Sequence, residues 1–407
     1  MPELSAGDTA WLLAASALVL FMTPGLAFFY SGLVRGRNAV NTIMFSFITM
    51  CVVSVVWVLW GYSLAFGEGN DFIGDLNWIG LGGIGVADLA AGYTIPALLF
   101  VVFQMMFAII TPALITGAIV ERFKFSSYIV FLILWSTFVY SPIAHWVWAS
   151  TGWLFKMGAL DFAGGTVVHI NAATGALVAA ILVGKRKDPG LEPHNVPFAV
   201  LGAGILWFGW FGFNAGSALA ANGLAVSAFL VTNTAAAAAG LTWGIVSQIQ
   251  NGRMSAVGVA SGAVAGLVAI TPASGFVDTI GALFIGVGAG LLCYMAVRLR
   301  PKTGLDDSLD VFSIHGVGGI WGALATGIFA VSAVNPLGKG LIDGNPGQLM
   351  TQVIAVGATL LYSGIVSFII LKVVDMTMGL RATEDAEARG MDISDHGERA
   401  YVADGAD

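Results

Sequence analysis

The stretch Asp161-Phe-Ala-Gly-Gly-Thr-Val-Val-His169-Ile-Asn-Ala-Ala-Thr-Gly-Ala-Leu-Val-Ala-Ala-Ile-Leu-Val-Gly184 decides how the chain is read. No charge occurs after Asp161 until Lys185. The run therefore suffices to cross a bilayer, which takes about 20 residues. It also carries a histidine, and a titratable ring at membrane depth is costly and marks a polar pathway. A second one, His315, lies in the late apolar segment Asp310-Val-Phe-Ser-Ile-His315-Gly-Val-Gly-Gly.

Outward from this stretch the composition is that of a polytopic membrane protein. Hydrophobic residues make up 57% and charged residues 10% of the 407, against about 25% charged in soluble domains. The 54 glycines fit close helix packing. Gly258, Gly262 and Gly266 recur every fourth residue, as do Gly318 and Gly322. Cys51 and Cys293 sit in apolar runs and read as small buried hydrophobes, with no disulfide or metal pattern. The first apolar run is expected to be a true span, since no basic segment and cleavage site frame it as a signal peptide.

Hydropathy predicts an all-α polytopic fold with eleven transmembrane helices, at about 9–34, 39–66, 94–119, 126–148, 164–184, 196–216, 224–249, 255–271, 277–297, 311–333 and 350–374. With the N-terminus outside, 15 of the 17 Lys and Arg fall in inner segments. Only Lys156 and Lys339 fall outside. This is the positive-inside pattern, and it puts the C-terminus inside. The membrane domain then covers 1–378, in halves of about 9–184 and 196–333 with a last helix at 350–374. The acidic tail 379–407, ending in Asp404 and Asp407, is either disordered or a docking element. Eleven spans suit an inverted five-plus-five repeat plus a final helix. Asp161 precedes His169 by eight residues and Asp307 precedes His315 by eight, so the two histidines are expected in equivalent spans, meeting near the midplane.

Two neutral imidazoles can form a donor-to-acceptor line that receives a small desolvated solute or relays a proton. The bland alternative is that each is satisfied by a helix carbonyl. His145 is expected at the interface, and His194 and His396 in solvated segments. Asp161 and Asp307 at the mouths of their spans suit helix capping, with attraction of a cation as the other option. Asp306 and Asp310 read as solvated. Trp148, Phe213 and Ser217 cluster at outer helix ends, with Phe103 and Phe107 in the third span and Trp207, Trp210 and Phe211 in the sixth. Interfacial belting explains many such rings. Aromatic faces also hold cations. No nucleotide-binding loop, metal framework or basic nucleic-acid surface is present in the sequence, and no cofactor is expected.

Four stretches carry a family resemblance: 161–177, 310–322, Trp207-Phe-Gly-Trp-Phe-Gly-Phe-Asn-Ala-Gly-Ser217 and Gly25-Leu-Ala-Phe-Phe-Tyr-Ser-Gly-Leu-Val-Arg35. Across about 8–402 the chain resembles the ammonium transporters, the Amt branch of the Amt/Mep/Rh superfamily. The resemblance implies a homotrimer of eleven-helix protomers in the plasma membrane, each with its own pore for ammonium or ammonia. It matches His169 and His315 to twin pore histidines and Phe107, Trp148 and Ser217 to an outer ammonium site. Phe107 and Phe213 match a two-ring gate, Trp210 a tryptophan beneath the histidines, and Asp161 an entrance-shaping aspartate. The tail through Asp395-His-Gly-Glu398-Arg-Ala-Tyr401 resembles a cytoplasmic segment that engages PII-type regulators, which favours docking over disorder. The expected role is transport, not enzymatic turnover. Two rival readings are a sensor acting through a partner and a bis-histidine haem protein.

Overall fold

The computed structural model describes residues 3–189 and 192–401. Asp404 and Asp407 lie outside the described residues. The regular structure described is helical, apart from two isolated β-bridges. In chain order the helices are α1 (Ala6–Leu33), α2 (Gly36–Phe66), α3 (Ala97–Ile119), α4 (125–148), the short α5 (Trp153–Met157), α6 (Gly165–Val183), α7 (Val196–Gly216), α8 (Gly223–Asn251), α9 (Ala256–Ile270), α10 (Thr279–Thr303), α11 (Phe312–Phe329), α12 (Gly347–Met378) and α13 (Glu384–Arg389). Among the described residues, ten helices are long and apolar enough to cross a membrane. The expected eighth span, α9, has 15 residues, and at 1.5 Å per residue it reaches roughly 22 Å of a core about 30 Å thick. Its second half is completely enclosed by other helices, which is where a short apolar helix can end without exposing backbone to lipid.

Helix packing rests on glycine at contact points. α1 and α7 lie so close that a Cβ on Gly202 would collide with the backbone nitrogen of Phe29, while one on Gly32 would stand 2.5 Å from the nitrogen of Ala199. The Gly258–Gly262–Gly266 stripe of α9 faces Trp243 and the backbone of Ala239 and Ala235 on α8. Gly322 of α11 abuts the backbone of Ala269. Where lipid and protein are equally apolar, such close approach supplies the dispersion contacts that hold helices together.

α6 and α11 run in opposite directions. Both meet the basic face, α6 by its end and α11 by its start. There Arg186 donates to Asp306 at 2.7–2.9 Å and to Glu121 at 2.9 Å. Glu121 also receives Arg35. Arg122 reaches Gly184 O at 2.8 Å, Ser308 Oγ at 2.7 Å and Asp306 O at 2.6 Å. Asp306, expected to be solvated, is therefore buried: a charge can sit there because two guanidinium groups surround it. Asp310 is part-buried against Arg300. Cys51, expected inside, is exposed on the flank of α2, a cost-free position for a small apolar group facing lipid. Cys293 is buried.

The tail is folded back onto this face. Ala382 N donates to Arg122 O at 2.9 Å, Met391 N to Asn38 Oδ1 at 2.8 Å, and Asp392 receives the amide of Asn41 at 2.7 Å. His396 meets Phe125 edge-on at 4.7 Å and Asn41 at 3.1 Å, and His194 meets Val34 O at 2.8 Å, so neither ring is simply solvated.

Substituting Gly202→Ala should cost about 1–3 kcal/mol by overpacking the α1–α7 seam. Gly204→Ala, where a Cβ meets nothing within 4 Å, should leave stability unchanged or raise it by up to about 1 kcal/mol. Thermal unfolding of the detergent-solubilised variants checks the pair.

Candidate functional site

Both histidines sit in a π-helical turn at the start of a span. His169 belongs to Gly165–Ile170 and His315 to Phe312–Gly316. A helix that begins inside a protein leaves its first N–H groups without carbonyl partners. At α6 the Asp161 carboxylate answers all of them. Oδ1 accepts from Gly164 N at 2.9 Å and Gly165 N at 2.6 Å, and Oδ2 from Thr166 N at 2.9 Å and Val167 N at 3.1 Å. At α11 Asp307 takes two of them, receiving Val311 N at 3.0 Å and Phe312 N at 2.7 Å. Burial, with the charge of Asp310 adding to it, pushes the Asp307 carboxyl up to about 6 against the pull of those two amides. Asp161 backs an aromatic mouth. Asp307 stands at the opposite, basic end.

The mouth is a cavity of about 220 Å³ whose walls include Phe103, Phe107, Trp148, Phe162 and Ser217. Trp148 is fixed by an indole N–H donated to Asp161 O at 2.9 Å, and Phe107 stands edge-on to it at 5.7 Å. The Ser217 hydroxyl donates to Phe213 O at 2.9 Å, so its lone pairs remain for a ligand. Under the mouth Phe107 and Phe213 meet at 4.4 Å, tilted by 44°.

Beyond these rings lies the histidine pair. His315 Nδ1 and His169 Nδ1 are 3.2 Å apart and their rings are inclined by only 24°. One nitrogen donates and the other accepts, so at least one ring is neutral. Trp210 lies nearly parallel to His169, at 5.4 Å and 19°. It packs alongside that ring and is anchored by Thr271 Oγ1 at 2.8 Å. The remaining wall is Met22, Leu26, Ile110, Leu114, Val168, Leu206 and Val264, around space for about one water-sized particle. On the basic side a second cavity of about 330 Å³ reaches Ile314, next to His315. A further cavity of about 740 Å³ opens between α6 and α10 and is not lined by either histidine.

Two features were not visible in the sequence. Thr271, which holds Trp210, follows α9 with no motif around it. His145, expected at an interface, is fully buried, its ring nitrogens facing Ala65 O at 3.0 Å and Asn70 O at 2.7 Å. The loop after α2 folds over it, which hydropathy does not register. A porphyrin iron between His169 and His315 has no room, since an axial metal–imidazole bond takes roughly 2 Å on each side.

Two vestibules divided by a narrow apolar throat with a buried imidazole pair, in a multi-pass helical bundle, define a membrane transport protein for a small solute. The Ammonium Transporter Family model matches residues 10–401. An ammonium transporter of Bacillus subtilis is 49% identical over 398 residues, covering 97% of this chain and 98% of its own. The crystal structure of Saccharomyces cerevisiae Mep2 superposes with a TM-score of 0.87 at 40% identity, over 94% of this chain and 89% of that one. A structure described as a sensor Amt protein gives 0.88 at 30% identity, over 96% and 98%. The chain belongs to the ammonium transporter family.

Replacing Asp161 by Asn turns one acceptor oxygen into a donor facing two N–H groups. The loss should be about 3 kcal/mol or more, read as a lowered unfolding temperature with proportionate loss of folded yield.

Proposed function

We propose that the protein carries ammonium across a plasma membrane by recruiting the ion, deprotonating it and conducting neutral ammonia past the histidine pair. The observation that carries this reading is the 3.2 Å contact between two buried imidazoles in an otherwise apolar throat. An ammonium ion entering that throat loses its water. The idealised cost for an ion of this kind is on the order of 20 kcal/mol, and several kcal/mol remain after relaxation. A neutral polar molecule left without a hydrogen bond loses only about 2–7 kcal/mol, and the imidazole nitrogens supply the missing bonds. His169 Nε2, buried and without a partner among the described residues, is one such position.

In this reading ammonium is first held at the mouth by the faces of Phe107 and Trp148 and by the Ser217 oxygen. Phe107 and Phe213 form the gate. Trp210 keeps His169 upright. Asp161 and Asp307 set the two helix starts without touching the solute. The aromatic mouth faces outward and the basic face inward, α9 completes an eleven-span domain over 1–378, and three protomers assemble, each with its own pore. The tail 379–407 is the docking element for a PII-type regulator, supported by the seat that Ala382, Met391 and Asp392 already have on the basic face. These assignments follow the family resemblance and the placement of charge.

His169→Ala should reduce ammonium-driven current from purified protein in liposomes at least tenfold, while folded protein is still recovered in good yield. Full current from the His169→Ala, His315→Ala double variant at ordinary yield would sink the pore assignment. The same liposomes contain no partner, so current from the unaltered protein also separates transport from sensing.

A further inference from the structure

We propose that Gln104 is a second hydrogen-bond acceptor of the ammonium-recruiting site, and that its side-chain carbonyl sets how tightly the site holds the ion. This rests on the recruitment reading and adds to it a residue that the sequence did not single out. Gln104 lies three residues before Phe107 on α3, so the two share a helix face, with Gln104 one turn nearer the mouth. It lines the same cavity as Phe107, Trp148 and Ser217. Its Oε1 is buried and accepts no hydrogen bond from the described residues. A buried amide oxygen without a partner is costly, and most are paired. That oxygen is enclosed, so the amide turns over to bring it into the cavity, where a ligand with N–H groups to donate supplies the missing partner.

The other polar groups around the cavity strengthen the case. The Asp161 carboxylate is used up by four backbone N–H groups. The Trp148 N–H is a donor and is spent on Asp161 O. Tyr93 stands on the exposed rim. That leaves Ser217, whose hydrogen points to Phe213 O, and Gln104 as the side-chain acceptors inside. Ammonium offers four tetrahedral donors. Two neutral oxygens plus the faces of Phe107 and Trp148 satisfy a dehydrating ion directionally, without a fixed negative charge that would hold it too long. The amide can rotate to present oxygen in either assignment of its two end atoms.

The test is the concentration dependence of ammonium-driven current in proteoliposomes. Gln104→Leu, of similar volume, should raise the half-saturating ammonium concentration about tenfold, the value of a hydrogen bond to a charged group. The current at saturating ammonium should fall by less than twofold. Gln104→Met serves as a second apolar variant of similar size. Gln104→Glu keeps the acceptor and should half-saturate at or below the concentration of the unaltered protein. A packing role predicts the reverse order, with Leu and Met neutral and the buried carboxylate of Glu harmful, and that order overturns the proposal. If Trp148→Leu shifts half-saturation and Gln104→Leu and Gln104→Met do not, the Gln104 role fails while the recruitment reading stands. If none of the three shifts it, both fail.

Discussion

Everything around the histidine throat depends on how backbone N–H groups are satisfied where a helix starts inside a protein. The first turns of α6 and α11 cannot use water as freely as a surface helix does, and they have no preceding turn to donate to. One carboxylate at each start removes the problem. Asp161 takes four amides and Asp307 two. With the starts anchored, the next residues close as wide π turns, which recur at functional sites, and each turn carries its histidine into the throat. The acidic residues thus act through geometry: they hold backbone, and the backbone holds the imidazoles.

A 3.2 Å contact between two rings from separate helices tolerates little movement, and two kinds of packing keep it in register. Along the spans, glycines let α1 and α7, α8 and α9, and α9 and α11 approach to backbone contact. At the basic face, Arg122 and Arg186 tie the end of α6 to the residues just before α11. A buried ion pair of this kind adds little net stability but punishes any arrangement that separates its members. The tail is bonded to the same group of residues through Arg122 O and Asn38, so whatever engages the tail meets the structure where the end of α6 is tied to the start of α11.

Much of this was legible in the sequence, and the reasons are specific. Apolar run length locates ten long helices, because lipid demands it. It leaves α9 marginal, because 15 enclosed residues need not span on their own. The equal eight-residue offset from Asp161 to His169 and from Asp307 to His315 put the histidines in matching places, and they do touch. What escaped were facts that depend on folding over. Asp306 looked solvated because its partner Arg186 is 120 residues away in the chain. His145 looked interfacial because the loop that buries it is polar. Thr271 and Gln104 have no motif. The π turns left no trace, since apolar content says nothing about whether a carbonyl is met four or five residues on.

Those π turns also change the phase of the helix beyond them. Each residue of an α-helix advances the side chains by about 100°, and a π turn accommodates one residue more than an α turn. The wall that α6 presents after Ile170 is therefore rotated, relative to an unbroken helix, away from the face that carries His169. Asn171, Thr174 and Gly175 look toward α12 and α4, where Ser363 meets Asn171 O and Trp135 stands against Gly175. A single span can thus give its first turn to the throat and its remaining turns to the scaffold. The spacing of polar residues along it is then one helical repeat with a change of phase at Ile170, and a one-residue deletion there would turn the later wall by about 100° against the first turn.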